Sequence, residues 1–152
     1  MTRADHAKEL FLKGYACSNA LTIPFCDLTN ISETEMLKLS LPLGGGLGRL
    51  RLTCGAISGM ALIIGLIFSK EEVSEENKLY VYGIVQELTE KFKQEKKTLI
   101  CEDLLRNAQL EVEFAGKPEA RTDEYYKKRP CANIVYLAAK ILEDYLISKN
   151  II

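Results

Sequence analysis

The chain has 152 residues, 20 lysines and arginines against 21 aspartates and glutamates, and a hydrophobic fraction of 47 %. That balance suits one globular domain with a sizeable core and excludes a disordered chain. A net charge of −1 offers no basic surplus for nucleic acid or an anionic membrane, so neither is expected as a partner. With one histidine, a histidine-rich metal site is excluded, and a Ser-His-Asp triad would depend on His6 alone.

The elements, in chain order, read as helices. Ala7, Leu10, Phe11 and Gly14 form the inner line of a first helix, with Asp5 near its start. A second spans Ser18 to Leu28, kinked or ended by Pro24. Ser32 and Glu35 have capping-box spacing for a short helix that runs through Leu39 and stops at Pro42. Leu43 to Gly48 carries four glycines and cannot be regular structure. Cys54 to Phe68 is apolar all round and is predicted to be a buried central helix. Its longest apolar stretch, Met60 to Phe68, is about half of what a bilayer requires. Ser74 caps a long amphipathic helix with Val81, Val85, Leu88 and Phe92 inward, although Leu79 to Val85 alone has strand character. Cys101 opens a short helix. Glu111 to Lys128 is predicted to be a long surface connection. Pro130 starts a last helix with Ile134, Ala138, Ile141 and Tyr145 inward. The expected fold is all-α, a single-domain bundle of six or seven helices around a buried central helix, with no sheet.

The N-terminus lacks the apolar core of a signal peptide, so the cytoplasm is the expected compartment. Thiols there are kept reduced, and the five cysteines read as reactive or metal-binding candidates rather than as a disulfide framework. Cys17, Cys54, Cys101 and Cys131 each fall at or beside a predicted helix start. The positive end of a helix dipole and its free N–H groups favour thiolate, the form that attacks disulfides and binds metals. Lowered thiol pKa values are therefore expected at these four. Cys54, at the most exposed-looking start, is the expected attacking thiol. Cys26 sits mid-segment beside Phe25 and reads as core. No Cys-x-x-Cys pair occurs, and the four cysteines are separated by 37, 47 and 30 residues, so any joint site must be assembled by the fold.

The glycine turn, followed by Arg49 and Arg51, has three readings. Its amides could cradle an anion, although it lacks a P-loop's Gly-Lys-Ser/Thr ending and no strand precedes it. Its glycines could let backbone approach Cys54 and leave the sulfur accessible. Or it could be a tight passage between helices. Gly45, Gly46 and Gly55 are the candidate cofactor contacts. His6 reads as an exposed helix residue. Glu71, Glu72, Glu75 and Glu76 read as a solvated helix entrance, and Lys91 to Lys97 as a helix end that favours cations.

Gly14-x-x-Cys17, the Gly44 to Gly48 turn, Cys54-Gly55-Ala56-x-x-Gly59, Cys101-x-x-Leu104-Leu105 and Cys131 together resemble a bacterial and archaeal family named for its C_GCAxxG_C_C signature. The resemblance runs from about Gly14 into the C-terminal helix. It implies a redox-active protein whose four characteristic cysteines correspond to Cys17, Cys54, Cys101 and Cys131, and it leaves Cys26 outside the pattern.

Two chemistries follow from such a set. Thiol pairs can cycle through disulfides, one thiolate attacking and a neighbour resolving. Alternatively, the four sulfurs can ligate an iron–sulfur cluster or a single metal. Either needs an electron partner, a protein or a small molecule. A helical binding or regulatory module whose cysteines are structural is the rival, and an enzyme centred on anion binding at the glycine turn is a third reading. A homodimer is one way for a small chain with so apolar a helix to cover its surface.

Overall fold

The computed structural model describes residues 1–152 and contains eight α-helices: α1 (Arg3–Leu12), α2 (Cys17–Thr22), α3 (Glu33–Ser40), α4 (Gly55–Phe68), α5 (Glu75–Lys96), α6 (Cys101–Asn107), α7 (Asp123–Lys128) and α8 (Cys131–Ser148). Short 3-10 segments follow α2 (Ile23–Leu28) and α3 (Leu41–Leu43), each with a proline at its second residue. There the chain loses an amide donor and tightens instead of extending the helix. No strand forms, including over Leu79 to Val85; an isolated antiparallel bridge joins Thr53 to Ile100.

Side-chain caps account for several helix starts. Thr2 and Asp5 form a reciprocal capping box on α1, Ser32 accepts from the Glu35 N–H, Ser74 from Asn77 and Thr122 from Tyr125. That last cap departs from the sequence expectation. Thr122 nucleates α7 inside the stretch expected to be a plain surface connection, and the acidic first turn and basic last turn of α7 complement its dipole.

A 27-residue core joins α1, α2, α4, α5 and α8. The α1–α8 pair packs Ala4, Ala7, Leu10 and Phe11 toward a face carrying Ile134, Val135, Ala138, Leu142 and Tyr145. Helix α4 is the apolar centre as expected, but its enclosure is uneven. Gly55, Ala56, Ile57, Gly59 and Met60 are buried, whereas Leu62 is half-buried and Leu66 exposed toward the far end. A buried polar seam locks α3 to α2: the Asn19 amide donates to Leu37 O at 3.1 Å and Ser40 Oγ at 2.8 Å, and the Thr22 hydroxyl donates to Ser40 Oγ at 3.1 Å. The Asn19 amide nitrogen and the Thr22 and Ser40 hydroxyls all have partners, so their burial is tolerable. No helix is long and apolar enough to cross a membrane.

Candidate functional site

The four cysteines occupy the starts of four different helices. Cys17, Cys101 and Cys131 are the first residues of α2, α6 and α8, and Cys54 is the N-cap of α4. The fold brings all four to the wall of one cavity of about 360 Å³. Cys26 lies in the core, its thiol 3.9 Å from Thr22 O, and takes no part in that wall.

Each approach has a local cause. The Thr53–Ile100 bridge is flanked by Cys54 N–H to Leu99 O at 2.8 Å and Cys101 N–H to Leu52 O at 2.7 Å. It places the starts of α4 and α6 side by side although 47 residues separate the two cysteines. Helix α2 meets α4 on the small-residue face Gly55-x-x-x-Gly59. A methyl group on Gly55 would lie 2.5 Å from the Cys17 sulfur and 2.8 Å from Leu43 O. Cys17 therefore rests directly on the backbone next to Cys54, a distance only glycine permits. Gly46, buried with φ +72°, is fixed from the other side, since its added methyl would meet the Cys101 Cβ at 2.7 Å and Leu52 N at 2.7 Å.

These distances define what the candidate glycines do. Gly46 and Gly55 let backbone approach the cysteines, and Gly45 lines the cavity. The turn around them is also more strained than glycine alone explains. Leu47, Arg49 and Arg51 have φ of 68°, 64° and 63°, a left-handed conformation costing roughly 1–2 kcal/mol per non-glycine residue. Hydrogen bonds from Arg49 N–H to Gly44 O, Arg51 N–H to Gly45 O and Leu52 N–H to Gly46 O hold it there.

Arg49 and Arg51 belong to a feature that sequence reasoning missed. Four arginines, Arg49, Arg51, Arg121 and Arg129, line the cavity together with Tyr125 and one carboxylate, Glu119. Arg51 is 6 % exposed; its Nε donates to Glu113 O at 2.9 Å and its Nη1 lies 3.7 Å from the Cys101 sulfur. Arg49 bonds Ala115 O, and its buried Nη2 has no hydrogen-bond partner, with Glu113 and Glu119 at 3.5 and 3.8 Å. Arg121 donates to Phe11 O at 3.1 Å and Tyr15 O at 3.2 Å, and stacks on Phe11 and Tyr125 at 4.4 and 5.0 Å. Arg129 pairs with Glu119 and stacks on Tyr125 at 4.9 Å. The only sequence signal was local: two arginines beside the glycine turn. Arg121 and Arg129 lie at either end of α7, in and beside the stretch expected to be surface.

Two expectations about the thiols are overturned. Cys54 is only 6 % exposed rather than accessible, because the glycine turn and Cys17 close over it; Cys17, Cys101 and Cys131 are half-buried. At Cys54, Cys101 and Cys131 the thiol pKa is raised rather than lowered. Burial pushes Cys54 well above its ordinary value, and the nearby Cys17 sulfur adds to this. Burial also pushes Cys131 up to about 12. Cys101 is raised by burial against the opposing influence of Arg51. Desolvation of a thiolate outweighs what a helix start contributes.

No cysteine is paired in a disulfide. No three Cys, His, Asp or Glu side chains are grouped so that they could hold one metal ion. The donor set nevertheless has the character a larger thiolate-ligated group requires: four soft sulfur donors around one cavity, with guanidinium groups to compensate their charge.

An all-helical fold with four helix-start cysteines on a shared cavity defines a cysteine-centred protein class. A family model described as "Putative redox-active protein (C_GCAxxG_C_C)" matches residues 15–145, and the chain belongs to that family. No curated protein and no solved structure gives a match.

Proposed function

We propose that the cavity is a two-electron thiol redox centre, with Cys17 and Cys54 as the working pair. The observation that carries this reading is the convergence of four cysteines, from four separate helix starts, on one cavity. Within it, Cys17 packs against Gly55 beside Cys54, and the half-buried Cys17 is better placed than the enclosed Cys54 to meet an incoming disulfide. Cys17 attacks, and Cys54 resolves the mixed disulfide. A Cys17–Cys54 bond forms, the acceptor's S–S bond breaks, and both thiol protons leave with the two released acceptor thiols. The acceptor is a redox partner protein or a small disulfide, and Cys101 and Cys131 form a second thiol reserve on the same wall.

A second reading has its own support. Four cysteine sulfurs on one arginine-lined wall suit an iron–sulfur cluster, held by Cys17, Cys54, Cys101 and Cys131, which would supply one-electron transfer when bound.

Anaerobic purification followed by metal analysis, visible absorption and titration with oxidised dithiothreitol separates the two. The dithiol reading expects a colourless protein that loses one pair of hydrogens, mapped by mass spectrometry to Cys17–Cys54. It also expects that loss to vanish in Cys17→Ser and Cys54→Ser but persist in Cys26→Ser. Stoichiometric iron and sulfide with visible absorption would replace it by the cluster reading. Four thiols inert in a metal-free protein would sink both.

A further inference from the structure

Only Arg51 of the arginine wall contacts a sulfur, that of Cys101 at 3.7 Å, so stabilising a thiolate does not account for the other three. Disulfide exchange does not require four guanidinium groups on one wall, and burying or half-burying cations without counter-charge is costly. Yet Arg49, Arg51, Arg121 and Arg129 all line a cavity to which Glu119 brings the one carboxylate. Counting Glu113, which lies 3.5 Å from Arg49 outside that wall, two of the four positive charges remain unmatched.

The four arginines are not equivalent. Arg121 is committed to the carbonyls of Phe11 and Tyr15, and Arg129 to Glu119. Arg49 and Arg51 retain donor capacity. The buried Nη2 of Arg49 has no hydrogen-bond partner, the Glu113 and Glu119 carboxylates standing off at 3.5 and 3.8 Å, and the Nη1 of Arg51 reaches only a sulfur, a weak acceptor. Both residues sit in left-handed backbone that a non-glycine residue enters at a cost, and such strain concentrates where a site must hold a group in place.

We infer that this cavity binds a small oxyanion group between Arg49, Arg51 and the cysteine wall, so that the small disulfide reduced by the thiols is one that carries an anionic oxygen group. The inference rests on the cavity being the redox centre proposed above and names the class of molecule that enters it. A volume of about 360 Å³ lies at the small end of ligand sites, which selects a compact anion over a nucleotide. A guanidinium fork binds carboxylate, sulfate and phosphate oxygens alike, so anionic oxygen is the recognised chemistry.

Isothermal titration calorimetry on the reduced, metal-free 152-residue chain, with acetate, sulfate and phosphate at chloride-matched ionic strength, tests it. One equivalent of at least one of these anions is expected to bind, the strongest of the three identifying the anion shape preferred. Arg51→Gln should weaken that binding by about tenfold or more, the loss expected for a charge-assisted hydrogen bond. Glu119→Gln, which removes the competing carboxylate without touching the donors, should tighten it. The opposed signs guard against a folding artefact, since a variant that merely loosens the pocket cannot strengthen binding. Absence of binding by all three anions, or Glu119→Gln weakening it, overturns the inference. If binding fails while Cys17 and Cys54 still oxidise as a pair, only the anion inference falls. If an anion binds to a protein with inert thiols, the redox reading falls and the anion site stands.

Discussion

Replacing Gly55 by alanine probes the contact that joins Cys17 to α4. The new methyl would lie 2.5 Å from the Cys17 sulfur, 2.8 Å from Leu43 O and 3.2 Å from the Gly44 Cα. The sulfur can swing away, but the other two atoms are backbone, and Leu43 O is already engaged by the Leu47 N–H at 3.2 Å. Overpacking of this kind costs about 1–3 kcal/mol. Against it stands the conformational gain of alanine over glycine in a helix, up to about 1 kcal/mol and smaller at a first helical residue. A net loss of about 1–2 kcal/mol follows, or roughly 2–8 °C in Tm for a chain of this size. Gly65, in the same helix, provides the control. A methyl there meets nothing within 4 Å, so Gly65→Ala should stabilise by about 0.5–1 kcal/mol. Urea denaturation followed by circular dichroism measures both, and iodoacetamide labelling should show Cys17 modified faster in the first variant. If Gly55→Ala proves as stabilising as Gly65→Ala, α2 is not seated on α4 as described, and the placement of Cys17 beside Cys54 fails with it.

Cys26→Ala should cost about 1 kcal/mol through a small core cavity and leave the redox titration unchanged, because Cys26 is buried away from the cavity wall. Arg121→Met removes two hydrogen bonds to the end of α1 and its continuation and should destabilise by about 1–3 kcal/mol, with limited proteolysis showing faster cleavage between residues 109 and 122. Stability should fall in alkali. The Cys131 thiol rises from 9.0 to about 12 on folding, so above about pH 9 the unfolded chain has released a proton that the folded chain keeps. The stabilisation is complete below pH 9 and is lost progressively as pH climbs toward 12. A Cys131→Ala variant should show a shallower decline in urea midpoints across that range; an equal slope would place the cause elsewhere.

Much of the local architecture was legible in the residue order. Capping residues at Ser32 and Ser74, prolines at 24 and 42, and apolar spacing in α1, α5 and α8 locate elements whose determinants lie within a few residues of one another. The four helix-start cysteines were found for the same reason, since a helix start is a local event. What could not be read locally was the environment of each thiol. A helix start argues for a lowered pKa, but burial is decided by whatever packs on top, and Leu99, Leu52 and Gly46 reach Cys54 and Cys101 through backbone hydrogen bonds and close contacts that no spacing rule encodes. Desolvation then dominates and reverses the sign.

The arginines make the same point. Arg121 and Arg129 lie far along the chain from Arg49 and Arg51, in or beside a segment whose polarity read as surface, and only the docking of that segment against Phe11 and Tyr15 brings all four to one cavity. The sequence by itself determined an all-helical chain and which four cysteines stand at its helix starts, because helix propensity and caps are properties of neighbouring residues. Only the tertiary structure decided that those cysteines share one arginine-lined cavity, because convergence and burial depend on contacts between residues separated by tens of positions.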